Sequence, residues 1–336
     1  MTDGPADEAG PLLRVRGLTK HFPVRGGPVR AVDGLDFEVG AGETLGLVGE
    51  SGCGKSTTAR LLVRLLEPTG GSIEFAGHDL THAGRRHLRP LRGQLQIIFQ
   101  DPYASLNPRH PVGRIIAMPL RVNRIDPPGG TRARVRELME RVGLNPEHHN
   151  RYPHEFSGGQ RQRVGIARAL VTEPRLVVAD EPVSALDVSI QAQVVNLLRR
   201  LHRDLGLALV LISHDLAVVR HLCQRVAVMY LGRIVEIGDR DDIYHRPQHP
   251  YTRALLAAVP HVGQLGPAGR LRLTGDAPTP LDPPSGCRFR TRCPRARDRC
   301  AVEEPALVRR DGGGQATACH FPGPDPLPAE PVRAMA

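Results

Sequence analysis

The stretch TLGLVGESGCGKSTTARLL, residues 44–62, decides the fold. Its first part, TLGLVG, is a short apolar run with the continuity of a strand buried on both faces, and from residue 55 to 66 the spacing becomes helical. Between the two lies GESGCGKST at 49–57, which fits GxxxxGK[ST]. In such a loop the glycines Gly49, Gly52 and Gly54 let backbone N–H groups curl around a β-phosphate, and the helix N-terminus adds its partial positive charge. Lys55 supplies a compact cation for the β and γ phosphates, where the wide arginine fork does not fit. Every other basic residue except Lys20 is arginine, so a lysine kept at this position is informative. Ser56 offers a hydroxyl to Mg²⁺, and Glu50, Ser51, Cys53 and Thr57 complete the loop. A chance glycine-rich turn is the alternative.

Working outward, LQIIF (95–99), LVVAD (176–180) and LALVLIS (207–213) are further short apolar runs, separated by segments of helical spacing at 131–143, 159–172 and 189–205. The alternation predicts an α/β fold with a mainly parallel core. LLRVRGL, RVAVMYL and RIVEIG read as added, antiparallel strands, and 103–172 as a helical lobe. LVVADE (176–181) places Asp180 at a strand end to bind the Mg²⁺ shell and Glu181 to polarise a water for attack on a γ-phosphate. FSGGQRQR (156–163) opens a helix with Ser157, Gly158, Gly159 and Gln160, a second anion site made of a hydroxyl, glycine N–H groups and a helix N-terminus. Simple helix capping by Ser157 is the other reading.

With two phosphate-grasping ends in one chain, the sequence resembles the ATP-binding subunits of ABC transporters over residues 12 to 260. The resemblance implies a P-loop NTPase (RecA-like) core with an antiparallel β subdomain and a helical signature lobe. It implies ATP and Mg²⁺ as ligands, and dimers in which the signature of one subunit closes over the nucleotide held by the other. Gln100 then matches the glutamine that senses metal and lytic water, Ser184 to Asp187 the loop between the two sites of a dimer, and His214 the histidine at the γ-phosphate. Phe22 is either an adenine-stacking ring or a core residue. All catalytic positions are present, so hydrolysis is expected.

HFPVRGG, QDPYASLNPR, EPVSALDVSIQAQ and HPYTRALLAAVP are similar to the oligopeptide and dipeptide branch of importers. That implies a heterodimer with a paralogous ATPase, two permease subunits and an extracytoplasmic solute-binding protein, at the cytoplasmic face of the membrane. Nickel, glutathione or another small solute is the alternative cargo. A cassette at 12–255 is expected to be followed by a C-terminal domain at 256–322, with disordered ends at 1–11 and 323–336. DPPSGCRFRTRCPRARDRC and ACHF also match the branch, and relatives with this extension bind a [4Fe–4S] cluster. Cys287, Cys293, Cys300 and Cys319 are spaced Cx5C, x6C and x18C, unlike a zinc ribbon. Four thiolates suit an iron–sulfur cluster or Zn²⁺, with the arginines from Arg288 to Arg299 stabilising its negative charge; unliganded cysteines or disulfides are the alternatives. Cys53 and Cys223 read otherwise as ordinary small residues.

No run approaches the roughly 20 apolar residues of a spanning helix, and the start MTDGPADEAG is acidic and polar, unlike a signal segment. A formal charge of +10 admits nucleic acid, but the basic residues are scattered and the chain lacks the doubled ATPase units or long coiled coils of soluble relatives that act there, so no nucleic-acid partner is expected. An exporter motor and a subunit that binds ATP without hydrolysing it are further alternatives.

Overall fold

The computed structural model describes residues 10–258, 278–309 and 314–323; the ends expected to be disordered fall almost wholly outside these residues. In chain order the strands are β1 (Leu13–Val24), β2 (Gly27–Val39), β3 (Thr44–Val48), β4 (Gly70–Phe75), β5 (His78–Asp79), β6 (Leu95–Ile98), β7 (Leu176–Asp180), β8 (Ala208–Ser213), β9 (Arg225–Tyr230), β10 (Arg233–Asp239), β11 (Val308–Arg309) and β12 (Ala316–Thr317). The chain divides into two compact units. One holds Met1–Leu18, Asp36–Thr44 and Ala59–Ile212, the other Thr19–Leu35, Leu45–Thr58 and Ser213–Ala336.

In the first unit β6, β7 and β8 run parallel, with Leu95 opposite Leu176 and Asp180 opposite Ile212. Every residue of β7 and β8 is buried, which is why their sequences are continuous apolar runs rather than alternating ones. A separate sheet has the strand order β2-β1-β4-β5, with β4 and β5 antiparallel. LLRVRGL opens this sheet as part of β1. The span expected to be helical holds helices Pro102–Ser105, Val112–Asn123, Gly130–Arg141 and Gly158–Leu170, with 3₁₀ turns at Pro146–Asn150 and Pro153–Glu155. Val112, Ile115, Ile116 and Leu120 are buried at helical spacing on the second of these, as are Val135, Leu138 and Met139 on the third.

In the second unit β3 runs parallel to β9, with Leu45 opposite Arg225 and Val48 opposite Val228, so of the β9–β10 pair only β10 departs from the parallel direction. β12 then adds to β10, with Glu236 opposite Thr317, and β11 adds to β12. These two-residue strands are too short to leave a periodic pattern in the sequence, so their joining of β10 was invisible there. Tyr230, Tyr251 and Phe289 are nearly fully buried, and their ring centroids lie 4.6 to 5.4 Å apart. Among the described residues no helix is long and apolar enough to cross a membrane.

Candidate nucleotide site

β3 delivers the chain to Gly49, and the helix Lys55–Leu62 begins at the loop's far end. Lys55 is 4% exposed, and its Nζ donates to the carbonyls of Gly49 (2.8 Å) and Glu50 (2.9 Å), so the ammonium is aimed into the loop. Gly54 has φ of +106°, and a Cβ there would meet the Ala31 carbonyl oxygen at 2.0 Å. Only glycine permits this close approach. Cys53 is buried beneath the loop, with its thiol pushed up mainly by burial, consistent with a small packing residue. Ser56 and Thr57 are half-buried, while Ser51 and Gly52 are exposed.

Glu50 is held from two sides that the sequence did not suggest. Its amide donates to the Tyr251 hydroxyl at 2.9 Å, and its carboxylate accepts a two-pronged bond from Arg292 at 2.8 and 3.0 Å. No local pattern connects residues 242 apart.

In the first unit β7 carries Asp180, 4% exposed, to the strand end. The next residue, Glu181, has φ of +45°, a left-handed backbone uncommon for a residue with a side chain, and its amide donates to the Ile212 carbonyl at 2.9 Å. Gln100 donates its side-chain amide to Glu181 Oε2 at 2.9 Å. Two residues assigned to the same chemistry from sequence, 81 positions apart, are thus in contact. Ser184 donates to the Glu181 carbonyl at 3.1 Å and tightens the following loop.

Ser157 forms a capping box: its hydroxyl accepts from the Gln160 amide (3.3 Å), and the Gln160 side chain accepts from the Ser157 amide (2.9 Å). Capping and anion recognition use the same helix end, so both readings of SGGQ survive. A Cβ at Gly158 would touch Leu186 at 3.7 Å and one at Gly159 would meet Ile190 at 2.6 Å, which places the 184–187 loop and the helix Val188–Leu205 against the signature. Asp187, exposed, stands at that helix's N-terminus.

In the second unit His214 directly follows β8 and is exposed. Phe22 is half-buried rather than part of the core, with the Lys20 ammonium 5.2 Å from its ring centroid.

The four C-terminal cysteines all lie in the second unit. Cys287 and Cys300 are buried and Cys293 and Cys319 half-buried, and no disulfide joins any of the described cysteines. The Cys287 amide donates to the Cys300 carbonyl at 2.8 Å. Burial first, and the neighbouring thiols after it, push Cys287 up to about 11 and Cys293 up to about 12, so both are neutral thiols. Among the described residues no three His, Cys, Asp or Glu side chains converge as a metal site. The arginines expected to face a cluster have other partners. Arg288 binds Asp33 and the Leu231 carbonyl, Arg290 binds Ser285, and Arg292 binds Glu50. Arg295 binds the Gly323 carbonyl, Arg297 lies over the Phe321 ring, and Arg299 pairs with Glu303. Burial alone raises the Asp33 carboxyl, but Arg288, His21 and Arg233 together hold it below the ordinary carboxylate range.

Comparison with known proteins agrees with this geometry. Residues 32–184 match the ABC transporter family, and residues 235–300 match the oligopeptide/dipeptide transporter C-terminal region. The chain is 54% identical to a putative peptide import ATP-binding protein of Brucella ovis, over 92% of this chain and 97% of that one. It is 52% identical to the oligopeptide transport ATP-binding protein OppF of Salmonella typhimurium (88% and 92% covered) and 50% identical to the di/tripeptide transport ATP-binding protein DppF of Pseudomonas aeruginosa (92% and 97%). Among solved structures, a dimeric ATP-binding cassette bound to ADP and Pi is similar, with a TM-score of 0.62 at 26% identity, covering 68% of this chain and 98% of that one. A glycine-built phosphate loop, a strained acidic strand end and relatives of this identity and coverage lead to one conclusion: the chain belongs to the ATP-binding proteins of ABC transporters, in the oligopeptide and dipeptide branch.

Proposed function

We propose that this chain is the ATP-hydrolysing subunit of a peptide importer, acting at the cytoplasmic face of the membrane with two permease subunits, an extracytoplasmic peptide-binding protein and a paralogous ATPase. The relatives named for peptide import and for oligopeptide and di/tripeptide transport support peptide over nickel or glutathione as cargo. In this reading the cassette occupies 12–255, with its helical part at 103–172, and the C-terminal domain 256–322.

Lys55 and the amides of residues 49–57 hold the phosphates of ATP. Ser56, Asp180 and Gln100 would hold Mg²⁺; the hydroxyl of Ser56 and the buried carboxylate of Asp180 are suited to a hard cation, which screens phosphate charge. Phe22 stacks the adenine. Glu181 accepts the proton of the attacking water, Gln100 orients its carboxylate, and His214 steadies the γ-phosphate. Ser157, Gly158, Gly159 and Gln160, with Asp187 behind them, grasp the nucleotide of the partner subunit, so each closure needs two ATP-loaded subunits. The observation that carries hydrolysis is the Gln100–Glu181 contact on a left-handed backbone, because strain of this kind persists where geometry matters for function.

We also infer that the four C-terminal cysteines take up a [4Fe–4S] cluster, with Zn²⁺ as the other candidate. Support comes from the donor set itself and from thiols near enough to raise one another's pKa. Ligation requires the side chains to converge and the buried thiols to lose protons. Co-purification from detergent-solubilised membranes tests the importer reading: permeases and a peptide-binding protein are expected, and recovery with ribosomes or nucleic acid instead overturns it.

A further inference from the structure

We propose that Arg292 is a positioning residue for ATP: it fixes and neutralises Glu50 of the phosphate loop, so the cysteine-bearing segment braces the nucleotide site. The inference rests on assigning residues 49–57 to ATP. A phosphate loop binds well only if its amides already point inward, since any ordering left to the ligand weakens binding. Gly49 and Glu50 are the loop's entry, and three groups hold Glu50 there. Its carbonyl receives Lys55, its amide reaches the Tyr251 hydroxyl, and its carboxylate is gripped by both ends of the Arg292 guanidinium.

Charge makes the third contact more than a tether. Glu50 lies within a loop built for a polyanion, and an uncompensated carboxylate there repels phosphate. The Arg292 side chain is only 7% exposed and that of Glu50 27%, so solvent screens the pair poorly. The planar fork meets both carboxylate oxygens, a geometry lysine cannot reproduce.

The segment itself is anchored. Phe289, 1% exposed, packs against Tyr230 and Tyr251, the same tyrosine that accepts from the Glu50 amide. Arg288 binds Asp33 and the Leu231 carbonyl. Arg292 therefore projects toward the loop from a fixed base, one residue before Cys293. Whatever displaces residues 287–293 displaces the group that holds Glu50.

The test uses the full chain, a fluorescent ATP analogue for affinity, and steady-state hydrolysis. Arg292→Gln is expected to weaken nucleotide binding about tenfold or more, the scale of one charge-assisted bond, and to raise the KM for ATP with a smaller change in kcat. Arg292→Lys should recover only part of the loss. Removing both charges, Arg292→Gln with Glu50→Gln, should recover most of it, because no carboxylate is left to repel the phosphates. A fold defect caused by losing Arg292 would not be repaired by that second change. Arg299→Gln, which breaks an exposed pair with Glu303 in the same segment, should bind as wild type. Wild-type affinity in Arg292→Gln, or a double variant no better than the single, overturns the proposal. A wild-type chain that binds no nucleotide overturns instead the assignment of the loop to ATP.

Discussion

Acidification should weaken the second unit through one buried imidazole. His249 is 1% exposed and begins the helix Pro250–Ala257, where its Nδ1 accepts from the Tyr251 amide at 3.0 Å. Its ring lies 5.7 Å from that of Phe289. Burial pushes its pKa from 6.5 down to about 3, so the folded protein holds it neutral while the unfolded chain takes up a proton as soon as the pH drops below 6.5. The sign follows from that asymmetry. The unfolded state binds more protons, so the His249 contribution is fully present above pH 6.5 and is lost as the pH falls from there toward about 3. Between pH 7 and pH 5 the loss amounts to about 2 kcal/mol, from 1.36 kcal/mol per pKa unit applied to the fraction of unfolded chain protonated. Glu236, whose carboxyl is raised by burial, acts with the opposite sign as the pH falls, so the measurement must be a difference. His249→Asn retains a side chain able to cap the helix and removes the titration. Urea unfolding of both proteins at pH 7 and pH 5 should show wild type losing about 2 kcal/mol more than the variant across that interval. Equal losses in the two proteins would refute the reasoning.

Other outcomes are expected. Glu181→Gln should retain ATP yet lose about 10²-fold or more of its hydrolysis rate, as removal of a positioned base does, and undiminished turnover in a phosphate-release assay would sink the assignment. Gly54→Ala should abolish nucleotide binding and destabilise the chain, because its Cβ meets the Ala31 carbonyl at 2.0 Å with φ at +106°; normal binding in an equilibrium titration would contradict this. Glu236→Gln should cost about 1–3 kcal/mol, since a carboxylate that accepts from the Gln248 and His249 amides and from Gln315 becomes a group with its own N–H donors; chemical denaturation measures it, and an unchanged midpoint speaks against the network. Anaerobically purified protein should contain about four iron atoms per chain with a visible charge-transfer band, or one Zn²⁺, and Cys293→Ser should reduce either; metal-free protein refutes ligation.

Much of the local geometry was legible in the sequence, because it is set by neighbours in the chain. GESGCGKST, LVVADE and FSGGQRQR each place their groups within one strand–loop–helix passage, where backbone geometry alone fixes what neighbours what. Continuous apolar runs likewise announced β7 and β8, since strands buried on both faces leave no polar positions. The loop at 49–57, the end of β7 at 180–181 and the helix Gly158–Leu170 follow from sequence for that reason. Tertiary structure decided whatever depends on distant residues meeting. The left-handed backbone of Glu181 depends on β8, through the Ile212 carbonyl, and β12 reaches β10 with only two residues. The arginines between the cysteines looked like countercharge for a cluster, yet the fold gives Arg288 to Asp33 and Arg292 to Glu50. A guanidinium has no directional signature in sequence, so its partner is set by which carboxylate the packing of Phe289 against Tyr230 and Tyr251 brings within reach.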